Sequence, residues 1–121
     1  MSMKNKIREY VEIELLDART MRSQNNHLKE FASLERAHIL GQASTFEHVR
    51  VHYHMLVWAF RNRNYAEVFG QIFRLIGAAV LTPFGMIPIG NTGGSNVSPF
   101  KSMPIPSDLE KKLNSVKSSQ D

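Results

Sequence analysis

The sequence predicts an all-α protein: an antiparallel four-helix bundle of two helical hairpins, an ordered Gly/Pro-rich C-terminal extension and a short final helix. Apolar residues recur at spacings of three and four along most of residues 4–82, which is typical of amphipathic helices. Short polar or glycine-containing turns interrupt this periodicity three times. An offset of 38 residues aligns the first helix pair with the second, so tetratricopeptide-like pairing is one possible arrangement. We expect a single domain over residues 1–121.

The first two helices are predicted over residues 4–22 and 27–40. Gly41 is well placed to end the second helix, since glycine readily adopts the backbone conformation found there. Each helix has one apolar stripe that should face the core. The stripe residues are Ile7, Val11, Leu15, Ala18 and Met21 in the first helix, and Leu28, Phe31, Ala32, Leu34 and Ile39 in the second.

The third helix is predicted over residues 44–61, with Ser44 as its N-cap and Glu47 completing a capping box. Tyr53, Trp58 and Phe60 are interpreted as packing residues. The fourth helix, residues 65–81, is apolar over most of its circumference, so we expect it to be central or well covered. Its polar residues form one narrow strip of Glu67, Gln71 and Arg74.

The most apolar stretch, residues 75–81, is far shorter than the roughly 20 residues needed to cross a bilayer. It predicts a buried helix end and no transmembrane segment. Residues 83–106 are rich in Gly and Pro but also carry many apolar side chains, which favours an extended segment packed on the bundle over disorder. Ser107 and Glu110 cap a final helix to residue 116, and residues 117–121 are expected to fray.

Composition and charge exclude several classes of site and partner. The net charge of +4 is spread along the chain and interleaved with acidic residues, so no nucleic-acid partner is expected. The absence of cysteine excludes disulfides and thiolate ligands. The charged N-terminal residues do not resemble an export signal and favour a cytoplasmic location. A second copy of the chain or another protein remains open as a partner.

Five ionisable side chains lie on the predicted core faces of the first three helices: Glu14, Glu35, His38, His48 and His52. An uncompensated buried charge costs several kcal/mol, so such groups are paired, hydrogen-bonded or bound to a cation. Spacings of three and four bring His38 beside Glu35, and His52 beside His48, on one helix face.

A divalent transition metal would satisfy all five groups. Imidazole with carboxylate suits zinc, iron, manganese, nickel or copper and suits calcium poorly. Because the fourth helix is expected to bring no carboxylate to the core, one metal ion with a position open for water is favoured over a di-metal site. His54 shares a polar face with Arg50, and His27 lies near a turn, so neither is included. The sequence assigns no catalytic residue, and metal handling and metal-dependent chemistry both remain open.

Two other functions compete with metal binding. The five residues could form a structural polar network inside a tetratricopeptide-like protein-interaction module. A membrane-surface protein that uses Arg61, Arg63 and Arg74 beside the apolar fourth helix ranks third. The Gly-rich segment 90–96 lacks the lysine and the strand-to-helix context of a nucleotide loop, so it is interpreted as tight turns that cover one end of the bundle.

Four short motifs resemble those of a small bacterial family catalogued as a domain of unknown function. They are LERAHILGQ at 34–42, HVRVH at 48–52, GNTGG at 90–94 and MPIP at 103–106. The resemblance covers most of the chain and implies one helical domain of this length. It implies no activity and no site residues, and His54 is not part of the pattern.

Overall fold

The computed structural model describes residues 2–118 and is all-helical over that range. The elements are α1 (Met3–Ser23), α2 (His27–Gly41), α3 (Thr45–Arg61), α4 (Tyr65–Leu81), a 3-10 turn (Thr82–Phe84) and α5 (Ser107–Ser118). The four predicted helices and the final helix are therefore confirmed, with ends within two residues of those expected. The predicted fraying concerns residues 117–121, of which 119–121 lie outside the described residues.

Local side-chain chemistry sets where the helices begin. Ser2, Asn26, Ser44 and Asn64 each accept a hydrogen bond from the backbone N–H three residues later, which satisfies a donor that the first helical turn cannot. The turns after α1 and α3 are alike, since Asn25 and Arg63 occupy the same position with φ of 56° and 54°. The two hairpins thus share one turn geometry, in agreement with the 38-residue repeat.

The core lies between consecutive helices, because α1 packs on α2, α2 on α3, and α3 on α4. α5 lies against α1 and α2 and adds Leu109 and Val116 to the core. Trp58 is buried, and its indole N–H donates to the His27 carbonyl oxygen at 2.9 Å. The apolar stripe of α1 is buried as predicted from Ile7 to Ala18.

Four expectations about packing were wrong. Leu28 and Ala32 were predicted to face the core, and Tyr53 and Phe60 to pack against other residues, but all four are exposed. The helix periodicity placed them on or near an apolar arc, but no neighbouring helix covers that part of the arc.

The fourth helix is the largest departure from expectation. Its polar strip faces the rest of the protein, with Glu67 and Gln71 buried, while most of its apolar side chains face outward. In residues 75–81, predicted as a buried helix end, only Ala78 is buried. One segment of the described chain, Tyr65–Phe84, has the length and composition of a marginal candidate span, with mean hydropathy 1.2.

The segment between the 3-10 turn and α5 is ordered and is held by hydrogen bonds to the helices. Gln42 donates to the Pro88 carbonyl oxygen and accepts from the Gly90 N–H. Arg74 donates to the Val97 carbonyl oxygen at 2.7 Å. These bonds lay the segment across α2 and α4, at the end of the protein where His38 and His48 lie.

Candidate metal centre

Three buried histidines from two helices point their Nε2 atoms at one another. His38 comes from α2, and His48 and His52 come from successive turns of α3. The Nε2 atom of His38 lies 3.0 Å from Nε2 of His48 and 3.1 Å from Nε2 of His52. One ligand atom from each ring lies within 4.8 Å of the others, so the three could hold one ion. We call this set the histidine cluster.

The other nitrogen of each ring is held by an oxygen atom from a different part of the chain. Nδ1 of His38 lies 2.7 Å from the Asn91 carbonyl oxygen. Nδ1 of His48 lies 2.7 Å from the Thr82 hydroxyl, and Nδ1 of His52 lies 2.7 Å from the Gln71 side-chain oxygen. These contacts orient all three rings and leave each Nε2 directed toward the centre of the cluster.

The hydrogen-bond network assigns the tautomers of two of the rings. A carbonyl oxygen cannot donate, so a neutral His38 carries its proton on Nδ1. The orientation of the Gln71 amide is fixed because its nitrogen donates to Glu67 at 2.6 Å and to the Gly93 carbonyl at 2.9 Å. A neutral His52 therefore also carries its proton on Nδ1. The Nε2 lone pairs of His38 and His52 then face each other with no proton between them.

Burial keeps the three rings neutral. It lowers the pKa of His48 to about 3 and that of His52 to about 4, against an ordinary value of 6.5. It also lowers the pKa of His38 well below that value, and the neighbouring His52 and His48 add to the effect. Neutral imidazole is the form that binds a metal ion, so no proton has to leave the cluster at neutral pH.

A cavity of about 80 Å³ reaches the histidine cluster from the surface. Its wall is mostly apolar and comes from α4 and the Gly/Pro-rich segment, with Phe73, Leu81, Met86 and Phe100 among the lining residues. Arg74 is the charged side chain in this wall. The cavity gives a small molecule or water access to the Nε2 side of the rings.

The GNTGG motif closes over His38. The Asn91 side chain anchors the loop by donating to the carbonyl oxygens of Ser98 and Lys101, and it accepts from the Gly93 N–H. Gly93 has φ of 85°, and a Cβ there would lie 2.6 Å from the His38 ring. Only glycine fits this close approach. The motif thus forms tight turns anchored by the Asn91 side chain, and it covers the His38 ring.

Glu67 and Gln71 connect α4 to the cluster. Glu67 is buried and accepts hydrogen bonds from the Gln71 amide, the Ser95 N–H and the Ser95 hydroxyl. The expectation that the fourth helix brings no carboxylate to the core was wrong, because the whole polar strip faces inward. Glu67 does not reach the rings directly and acts on His52 through Gln71.

The structure does not bring the five predicted residues together. Glu14 is buried as expected, but its carboxylate accepts from Arg36 at 2.8 and 3.0 Å, and Arg36 also bonds Asp108. Glu35 is only half-buried and lies beside Thr92; burial raises its pKa, and the Thr92 hydroxyl opposes that effect. His54 and His27 lie outside the cluster, as predicted.

Three residues that orient the rings were not predicted: Gln71, Thr82 and Asn91. Gln71 had a signal, since it lies in a polar strip on an otherwise apolar helix. Thr82 follows the end of α4, and Asn91 contributes a backbone carbonyl oxygen. Neither contact follows from the spacing of residues along a helix, so the sequence pattern does not predict it.

The chain matches one protein family over residues 5–113, and that family is described as "Protein of unknown function (DUF3703)". The match covers most of the chain, so the chain belongs to this family. No curated protein and no solved structure matches it significantly.

Proposed function

We propose that this member of the DUF3703 family binds one divalent transition metal ion through Nε2 of His38, His48 and His52. The observation that carries the proposal is the convergence of three Nε2 atoms whose rings are each held at Nδ1 by an oxygen atom. This is the arrangement by which metal-binding histidines are oriented in proteins, with the outer nitrogen fixing the tautomer and the inner one free to coordinate. The proposal includes the cytoplasmic location that the sequence predicts.

A purely structural network accounts poorly for the same geometry. With His38 and His52 neutral, their Nε2 atoms lie 3.1 Å apart and each carries a lone pair, which is a repulsive contact. A proton between them would relieve this contact but would require a buried imidazolium, and burial opposes that charge. A divalent cation relieves the repulsion and needs no proton.

The ligand set narrows the choice of metal. Three neutral imidazoles without a carboxylate suit zinc, copper, nickel or iron better than manganese, which prefers oxygen ligands. Nitrogens about 2.0–2.1 Å from a tetrahedral zinc ion would be roughly 3.3 Å apart. The Nε2 atom of His38 lies 3.0 and 3.1 Å from those of His48 and His52, which is close to that distance. Zinc is therefore the first metal to test.

The cavity supports a fourth, exchangeable position on the metal. Three protein ligands and one open position are typical of catalytic zinc sites, in which the metal lowers the pKa of a bound water. Arg74 lines the same cavity, and its positive charge favours an anionic ligand there over a neutral one. The site is suited to metal-dependent chemistry on a small ligand, and it equally suits reversible loading and release of the metal.

Elemental analysis of protein purified without chelators tests the proposal. We expect about one zinc, copper, nickel or iron per chain, or an equivalent uptake and a raised melting temperature when the metal-free protein receives Zn²⁺. His48→Ala should abolish uptake. His54→Ala, a half-buried histidine on the same helix outside the cluster, is the matched control and should bind as wild type does. Absence of uptake and of any thermal shift in the wild-type protein would reject the metal site.

A further inference from the structure

α4 has an inverted distribution of polarity. Its two charged residues, Glu67 and Arg74, both bond the Gly/Pro-rich segment on its inner side. Its outer face consists of large apolar side chains and carries no charge. These outer-face residues are Tyr65, Phe69, Ile72, Phe73, Ile76 and Val80 on the helix, with Phe84 directly after it.

No other helix of the described chain exposes as much apolar surface. α4 carries six large exposed apolar residues, whereas no other helix carries more than three. A single exposed apolar residue is ordinary, but a contiguous uncharged patch marks an interaction surface. The sequence places such a strongly apolar helix in a core, and the structure leaves half of it uncovered.

The area of the outer face matches one side of a stable protein interface. At about 200 Å² for a fully exposed aromatic side chain and about 150 Å² for an aliphatic one, and with these side chains 42–75% exposed, the outer face offers roughly 800 Å² of apolar surface. A standard interface buries about 800 Å² on each partner, and its core is depleted of charged residues. The outer face meets both criteria.

We propose that a second copy of this chain covers the outer face, with α4 packed antiparallel on α4 of the partner about a two-fold axis. A two-fold contact needs one patch that is complementary to itself, and an uncharged helix face satisfies that requirement without like-charge contacts. The antiparallel arrangement also places the two exposed Arg63 side chains, which flank the start of α4, at opposite ends of the contact. A parallel arrangement would bring them together.

The positions of the arginines favour a second copy over an anionic membrane. A helix that lies on a membrane surface is normally flanked by free cationic side chains. Arg61 is paired with Glu30, and Arg74 donates to the carbonyl oxygens of Gly70 and Val97. Of the three arginines considered for such a role, only Arg63 has a side chain with no partner within residues 2–118.

The dimer would lie next to the metal cavity. Phe73 belongs to the outer face and also lines the cavity, so the second copy would border the cavity entrance. Formation of the dimer itself requires no metal. The two proposals can therefore fail separately.

Sedimentation equilibrium at about 50 µM, well above a micromolar Kd, tests the dimer. The wild-type protein should have twice the mass of the 13.8 kDa chain. Phe69→Glu with Ile76→Glu should have the mass of one chain, while its helical circular dichroism and zinc uptake are retained. Leu28→Glu, an equally exposed apolar residue on α2, is the matched control and should stay dimeric.

A cysteine variant keeps the test valid if the double variant does not fold. The chain has no cysteine, and Ile72 lies near the middle of α4, where two antiparallel copies would cross. Ile72→Cys should form a disulfide-linked dimer on mild oxidation, and Leu28→Cys should not. A monomeric wild-type protein, a dimer that persists in the double variant, or flotation of wild-type monomer with phosphatidylserine vesicles would each overturn the proposal.

Discussion

Two groups of buried polar side chains lie on the same three-helix scaffold and are stabilised in different ways. In the carboxylate group, Glu14 of α1 is 3% exposed and faces Arg36 of α2, so the charge is neutralised by a partner from the next helix. In the histidine cluster, the rings from α2 and α3 present like atoms to each other. The chain supplies an oppositely charged partner for Glu14, but it supplies no complementary partner for the inward nitrogen atoms of the histidine cluster.

This difference distinguishes polar groups that are buried to stabilise the fold from polar groups that are buried to bind a ligand. An ion pair such as Glu14 with Arg36 satisfies both partners and needs nothing further from solution. The inward lone pairs of neutral His38 and His52 face each other, the Nδ1 contacts hold them in that arrangement, and a cation from outside the chain would satisfy both. The lack of a complementary partner within the chain indicates a ligand more strongly than burial itself does.

Through the histidine cluster, low pH should reduce the free energy of unfolding of the metal-free protein more than any single substitution does. Because the folded pKa values of His48 and His52 lie near 3 and 4, the unfolded chain takes up protons below pH 6.5 while the folded chain does not. Stability is therefore present above pH 6.5 and is lost as the pH falls toward 4, by about 2 kcal/mol per histidine at pH 5. Urea unfolding of the metal-free protein at pH 7.5 and pH 5 measures the loss. An equal free energy of unfolding at both pH values would contradict the low pKa values.

Removing one histidine should affect metal binding far more than folding. We expect His52→Ala to weaken zinc binding by roughly a thousandfold, since each ligand carries several kcal/mol of the binding free energy. Competition with a chromogenic chelator measures the affinity. The same substitution at His27, which is exposed near the start of α2, should leave it unchanged. If both substitutions weakened zinc binding equally, the histidine cluster would not be the zinc site.

Removing the buried carboxylate should have the opposite pattern. Glu14→Gln leaves Arg36 without its buried partner and should lower the free energy of unfolding by about 2 kcal/mol, because Arg36 is partly exposed and solvent replaces some of the lost interaction. Zinc affinity should not change. Glu9→Gln, at an exposed position of the same helix, should be neutral in both measurements. A large loss of zinc affinity in Glu14→Gln would place this carboxylate in the metal site after all.

Another prediction concerns the loop that covers the cluster. Gly93→Ala requires an unfavourable φ and a contact of 2.6 Å with the His38 ring, so it should cost about 1–3 kcal/mol and also weaken zinc binding. Gly77→Ala in α4 has open space around the new methyl group and should stabilise the protein slightly. If the two alanine variants have the same thermal stability and the same zinc affinity, the loop does not restrain His38.

Helical periodicity was sufficient to find the histidines but not their partners. His48 and His52 could be assigned to a core face because side chains four apart share one side of a helix, and His38 followed from the same rule. The pairing of Glu14 depends on how α1 is rotated against α2, which spacing within one helix does not determine. The long reach of Arg36 lets a residue outside the apolar stripe turn back toward the core.

The orientation of α4 was mispredicted for a related reason. Apolar content predicts that a helix will be covered but does not say by which molecule. The prediction assumed cover from the same chain, whereas the polar strip with Gln71 faces inward to orient His52. The inverted helix is explained if a second copy supplies the missing cover.

Imidazole ¹⁵N NMR during a zinc titration tests the central claim most directly. In the metal-free protein, His38 and His52 should both carry their protons on Nδ1. One equivalent of Zn²⁺ should then shift the Nε2 resonances of His38, His48 and His52 together, while those of His27 and His54 stay in place. A proton on Nε2 of His38 or His52, or three resonances that do not respond to zinc, would contradict the account.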